Sequence, residues 1–234
     1  MAVAAPGITT YREGSLHATL KERYAQQAAH SEVEALVDGF VIDVVGPDEL
    51  IEIQTSGFAG ARRKLEQLVE HHRVVLVHPM PLEKWLVVVD EGGAIVRRRR
   101  SPRRAQPLDL FDELVHLPSL VEHPNFRIEL LLTCEEEVRG PIPMGARYRY
   151  PRAWWRLDRR LVDVLETRRI DEPRDLLALL PAGLPEVFTT ADIVAASGRS
   201  KRLAMRAAYC LERCRAVERV GRQGRRAMYR RRHR

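Results

Sequence analysis

The sequence predicts an α/β fold, a mixed sheet flanked by helices, followed by a smaller C-terminal unit of helices and a basic hairpin. Three observations carry this. Residues 37–45 and 50–55 are short runs rich in β-branched residues on either side of the turn signal Gly46-Pro47-Asp48-Glu49. Helical patterns over residues 11–29 and 59–72 bracket that hairpin, the order of an α/β core. The positive charge is concentrated at one end: residues 199–234 hold fourteen Lys/Arg against two Glu, a local +12, which leaves −5 for residues 1–198 of a chain whose net charge is +7.

The 234 residues suffice for one large domain or two smaller ones, and 45% apolar with 30% charged residues fits a soluble globular protein. No window approaches about 18 uninterrupted apolar residues, and MAVAAPGITT lacks the charged and apolar segments of a signal peptide. A cytoplasmic protein without membrane contact is expected. Three cysteines give no disulfide framework; Cys210 and Cys214, spaced i, i+4, fall on the apolar side of an expected helix as reduced core thiols.

After the first helix and the hairpin, the helix over 59–72 leads to strands at 73–77 and 85–89, separated by a His78-Pro79-Met80-Pro81 loop. Glu91-Gly92-Gly93 turns the chain into residues 94–100, where an arginine knot begins: six Arg lie within residues 97–104, an electrostatic footprint for phosphate backbones. A helix at 109–117 and a strand at 126–134 complete the core, and a helix over 153–169 is expected to connect it to the C-terminal unit. The chain is thus expected to divide into a core domain at 11–135, a linker and connecting helix at 136–170, and a C-terminal domain at 171–232. No internal repeat is present.

In the last segment, a short helix at 176–180 precedes Thr189, an N-cap option for a helix that Gly198 stops, and Ser200 opens a longer helix to about residue 213. Strand-like residues 216–220 and 226–230 flank Gly221-Arg222-Gln223-Gly224. This order resembles a winged helix-turn-helix domain. At about 100° per residue, Leu203, Ala207, Cys210, Leu211 and Cys214 share one side of the longer helix, and Arg202, Arg206, Tyr209 and Arg213 form a separate stripe. That stripe, with Lys201 at the helix start and Arg222, Arg225 and Arg226 in the wing, is the expected DNA-binding surface; a solvated charged face is the plainer alternative.

The chemistry is expected in the first hairpin. If Val45 pairs with Leu50, paired residue numbers sum to 95 and Asp43 lies opposite Glu52, with Cβ atoms roughly 5 Å apart. Two facing carboxylates repel unless a cation intervenes, so the pair suggests a metal site. Glu13 shares a helix side with Leu16, His17, Leu20, Tyr24 and Gln27, the stripe expected to face the sheet, or else sits in a frayed first turn. His71, His72 and His78 have no carboxylate or cysteine at ligand spacing and suggest no zinc site.

Glu13 on a helix, with Asp43 and Glu52-Ile53-Gln54 on a hairpin, resembles the PD-(D/E)XK superfamily of restriction-endonuclease-like nucleases, particularly the archaeal Holliday-junction resolvase type. The resemblance implies that Asp43, Glu52, the Ile53 carbonyl and Glu13 bind Mg²⁺ or Mn²⁺, and that Gln54 stands at the lysine position. Gln can orient water and hydrogen-bond a phosphate, but it carries no positive charge; Lys64 and Lys21 are candidates to supply it. The function expected is a metal-dependent DNA endonuclease, targeted by its C-terminal domain; many nucleases of this fold act as homodimers. The alternatives are a catalytically inactive DNA-binding protein or transcriptional regulator, and an RNA-processing nuclease.

Overall fold

The computed structural model describes residues 14–27, 30–141 and 154–232. Its centre is a seven-stranded mixed sheet with strand order β1-β2-β3-β4-β6-β7, with β5 paired to the outer half of β4. The strands are β1 (Glu32–Val37), β2 (Phe40–Val45), β3 (Leu50–Ile53), β4 (Val74–Val89), β5 (Ile95–Arg100), β6 (Phe126–Gly140) and β7 (Trp155–Ile170). β3, β4 and β6 run parallel to one another, and the remaining pairs are antiparallel. All four residues of β3 are buried, as expected for a strand covered on both faces.

Helix α1 (Ser15–Gln27) covers one face: Leu16, Leu20 and Tyr24, one turn apart, pack against Val44, Ile51, Ile53, Val75, Val77 and Leu131. The opposite face carries the larger core. There α2 (Arg62–Leu68) and α3 (Phe111–Leu114) lie over Ile42, Leu76, Leu130 and Leu132 through Leu65, Leu68, Phe111 and Leu114.

The hairpin register is the expected one. Val45 pairs with Leu50 and Val44 with Ile51, and the turn closes through the Gly46 amide donating to the Glu49 carbonyl at 2.9 Å. The first strand run differs: β2 starts at Phe40, and Asp38 and Gly39, with φ of 50° and 83°, form a two-residue turn back to β1.

Two other expectations are corrected. Residues 78–81 are no loop but the middle of β4, a single strand of 16 residues. β3 pairs only with residues 74–77 of β4 and β5 only with residues 85–89, so on that side Pro79 and Pro81 sit at a free edge where no ladder donor is needed. The connecting helix expected over 153–169 is instead the edge strand β7, antiparallel to β6 from Gly140↔Trp155 to Ile128↔Ile170.

The C-terminal elements are β8 (Val187–Phe188), α4 (Thr190–Ser197), α5 (Lys201–Arg213), β9 (Val217–Gln223) and β10 (Arg226–Arg231), the strands forming a sheet of order β8-β10-β9. Thr189 caps α4 by accepting from the Ala191 amide, Gly198 ends it at φ 67°, and the Ser200 hydroxyl accepts from Leu203 at the start of α5. Leu203, Ala207, Cys210 and Leu211 are buried in the same continuous cluster as Leu130 of β6 and as Leu114 and Leu120, which cover the sheet face opposite α1. Cys210 and Cys214 are free, buried thiols, pushed by burial up to about 12 and about 11.

Candidate active site

The β2–β3 ladder runs through Val45↔Leu50 and Val44↔Ile51 and goes no further. At the next position, Asp43 Oδ2 accepts the Ile53 amide at 2.7 Å, so a side-chain carboxylate takes the role of a ladder carbonyl. The strands part here, and the backbone bends: Ile42 joins the lower core while Val44 joins the upper one beneath α1, although strict alternation would put both on one face. Opposite Asp43 in the β1 register stands Glu34, with φ 54°. Asp43 and Glu52, expected to face each other as a cross-strand pair, thus lie just beyond the paired part of the hairpin, with the Asp43 charge still acting on Glu52.

Both helical layers reach into this opening. From α1, His17 Nε2 comes to 3.3 Å of Asp43 Oδ2. From α2, Lys64 donates to Glu52 Oε2 at 2.6 Å and to the Val41 carbonyl at 2.6 Å. Gln54 Nε2 lies 3.4 Å from Glu52 Oε1. Lys64, which sequence spacing could not locate, is thus the cation beside the carboxylates. The same passage of chain is fixed from below: His78 Nδ1 is 2.7 Å from the Gln54 carbonyl, and Arg159 donates to the Thr55 carbonyl at 2.7 Å while forking onto Glu135.

The two carboxyls are tuned in opposite directions. Burial and the neighbouring charge of Asp43 raise Glu52 above the usual carboxylate range, with Lys64 opposing. Burial acts on Asp43 too, but hydrogen bonds from His17 and the Ile53 amide outweigh it and hold Asp43 low. Two neighbouring carboxyls driven apart in this way make the strand opening the candidate site.

Glu13 lies outside the described residues. Among the described residues no group of three Asp, Glu, His or Cys side chains converges for a metal. His72 pairs with Asp38 at 2.8 Å, and His78 points to Gln54, so neither joins the carboxylates.

The basic residues divide into two sets. Lys201, Arg202, Tyr209 and Arg213 are exposed on α5, and Arg222, Arg225 and Arg226 are exposed around the β9–β10 turn. Arg206 belongs elsewhere: it donates to the Asp112 carboxylate at 2.7 Å and to its carbonyl at 3.0 Å, tying α5 to α3. Arg199 does the same before the helix, reaching Asp109 and the Arg104 carbonyl at 2.7 Å each.

Fold and site together define an α/β protein whose mixed sheet opens at one strand pair around two carboxylates and a lysine. The chain belongs to the family of a domain of unknown function, DUF8091, whose profile matches residues 14–171 and so spans every described residue of this centre. It is also similar to an uncharacterized protein of Treponema pallidum (strain Nichols), with 29% identity over 188 residues, covering 80% of this chain and 73% of the relative. No solved structure matches the chain. Among the described residues, no helix is long and apolar enough to cross a membrane.

Proposed function

We propose that the chain is a metal-dependent DNA endonuclease of the PD-(D/E)XK type, with α4, α5 and the β9–β10 hairpin acting as a winged helix that engages DNA. The observation that carries this reading is the convergence of Lys64 on Glu52 in the strand opening that holds Asp43. It supplies the positive charge that Gln54 lacks.

The donor set fits a hard divalent cation. Mg²⁺ is commonly held by one or two carboxylates, completing its shell with water and substrate phosphate. Asp43 and Glu52 are such a pair, and the raised proton affinity of Glu52 beside Asp43 is the unfavourable like-charge contact a divalent ion relieves. When bound, Mg²⁺ or Mn²⁺ polarises a phosphoryl oxygen and lowers the pKa of a coordinated water.

The rest falls to the protein. Lys64 neutralises charge that grows on the phosphate in the transition state, Gln54 holds a water or phosphoryl oxygen by hydrogen bonding, and the Ile53 amide keeps Asp43 ionised and aimed. His78 and Arg159 fix the backbone that carries Gln54 and Thr55. On the DNA side, Lys201, Arg202, Tyr209 and Arg213 line the open part of α5 for the major groove, with Arg222, Arg225 and Arg226 on the phosphates.

Plasmid, single-stranded and branched DNA incubated with Mg²⁺ or Mn²⁺ test the proposal. The wild type is expected to cleave at least one of them, and Asp43→Ala and Glu52→Ala to abolish cleavage. Lys64→Ala is expected to slow it about 10²-fold, the usual loss for one electrostatic stabiliser. DNA binding with no cleavage of any substrate under either metal overturns the enzyme in favour of a DNA-binding regulator.

A further inference from the structure

A cavity of about 570 Å³ opens where the outer ends of β4, β5, β6 and β7 meet, away from the carboxylates but on the row of side chains that leads to them. Its wall combines cations with indole rings. Lys84 and Arg139 are already engaged by Glu137, at 3.1 Å and 2.7 Å. Arg139 also sits over Trp154, its Cζ 3.4 Å from the ring centroid, a cation–π contact that holds that indole in place. Arg99, Arg103 and Arg156, by contrast, line the cavity, are exposed and form no ion pair among the described residues. Among the described residues the site therefore offers three guanidiniums without an ion-pair partner beside Trp154 and Trp155.

The position has a direction. Along β6, Glu135 is held by Arg159, which touches the Thr55 carbonyl one residue beyond Gln54, and Glu137 and Arg139 come next at two-residue steps on the way into the cavity. From Glu135 to Arg139 is about 13 Å of strand, on the order of four nucleotides at 3.4 Å per stacked step. A second cavity shares Lys84, Pro102 and Arg103 and continues to Arg199, just ahead of α5. There Arg199 is already taken by Asp109, so the cations without an ion-pair partner stay at the sheet end.

Guanidiniums that await an anion beside aromatic rings are the chemistry that binds a nucleotide chain through its phosphates and base faces. A stacked base must be free of its partner strand to reach an indole, so a duplex does not satisfy this pocket. We propose that the cavity is a subsite for single-stranded DNA, with a base against the Trp154–Trp155 wall and flanking phosphates on Arg99, Arg103 and Arg156. The choice of DNA as the anion rests on the proposed nuclease function, whereas the pocket itself does not depend on cleavage.

All three tryptophans of the chain, Trp85, Trp154 and Trp155, lie at this end of the sheet, so intrinsic fluorescence reports on it. The full chain is titrated in EDTA with a fluorescein-labelled single-stranded oligonucleotide, with a duplex of equal length and with ATP. Single-strand binding is expected to quench tryptophan fluorescence. The Arg99→Ala/Arg103→Ala/Arg156→Ala variant, changed only at exposed positions, is expected to bind the single strand about tenfold or more weakly while duplex affinity changes less than about threefold. Trp155→Leu is expected to weaken the single strand selectively. Unchanged single-strand affinity in the triple-Arg variant, or equal losses for duplex and single strand, overturns the subsite; ATP binding as tight as the oligonucleotide replaces it with a free-nucleotide site. Cleavage by a protein whose triple-Arg variant binds single strands normally sinks the subsite alone. Selective single-strand loss in a protein that cleaves nothing sinks the nuclease reading alone.

Discussion

His78 shows how one buried side chain governs the centre without belonging to it. Its ring meets Phe58 edge-on at 5.0 Å, and its Nδ1 contacts the Gln54 carbonyl at 2.7 Å. Burial drives its pKa down from 6.5 to about 4, the Arg159 charge adding to the effect and the Gln54 hydrogen bond opposing it. Because the folded value lies below the unfolded one, the unfolded chain gains a proton first as pH falls, so stability from this group is complete above about 6.5 and drains away toward about 4. At pH 5 the loss is about 2 kcal/mol, on the relation between bound protons and stability. Urea unfolding of the wild type between pH 7 and pH 5 should fall by that much more than that of His78→Asn, which keeps a donor near the Gln54 carbonyl; equal falls would refute the account. Sequence alone yielded the Val45↔Leu50 register, because Gly46-Pro47-Asp48-Glu49 is a local turn signal, and with it the stretch of hairpin that carries Asp43 and Glu52. It could not locate Lys64 or assign His78, since the rotation of α2 over the sheet and the depth of β4 are decided by packing among Leu65, Leu68 and Leu76, residues distant in sequence.

At the scale of elements, α5 has two roles on two sides. Its apolar side and the Arg206–Asp112 pair hold it to α3, and Lys201, Arg202, Tyr209 and Arg213 remain open. In a double-mutant cycle, Arg206→Ala and Asp112→Ala should be less than additive, with a coupling of about 1 kcal/mol for a half-exposed ion pair reinforced by a backbone acceptor. Additive losses would show the contact to be incidental. The elements misread from sequence fail for identifiable reasons. β7 is an edge strand with both faces partly wet, so LDRRLVDVLETRR mixes charged and apolar residues without clean alternation and mimics a helical face. In β4, His78-Pro79-Met80-Pro81 reads as a break, yet only the β6 side of the strand is paired there. The caps at Thr189, Gly198 and Ser200, being local, were legible from sequence at once.

At the scale of the whole molecule, the family match ends at residue 171 but the core does not. Leu176, Phe188, Ile193, Leu203 and Leu211 belong to one buried cluster with Phe58, Leu76 and Leu130. A shared core implies shared unfolding. Tryptophan fluorescence, which reports the outer sheet end, and thiol accessibility of Cys210 and Cys214, which reports α5, should lose structure at the same denaturant concentration; separate midpoints would divide the chain into independent units. The three longest strands also set a timetable for synthesis. Residues 78–84 of β4 have no β3 or β5 neighbour, and the one strand paired along them is β6, which starts at Phe126. At roughly 5–20 residues per second, a ribosome needs a few seconds to make residues 90–125. Through that interval the middle of β4 lacks its strand partner and has only the Ser101 and Ala105 amides to meet its Lys84 and Pro81 carbonyls, its prolines denying a stray strand two of the amide donors it would need.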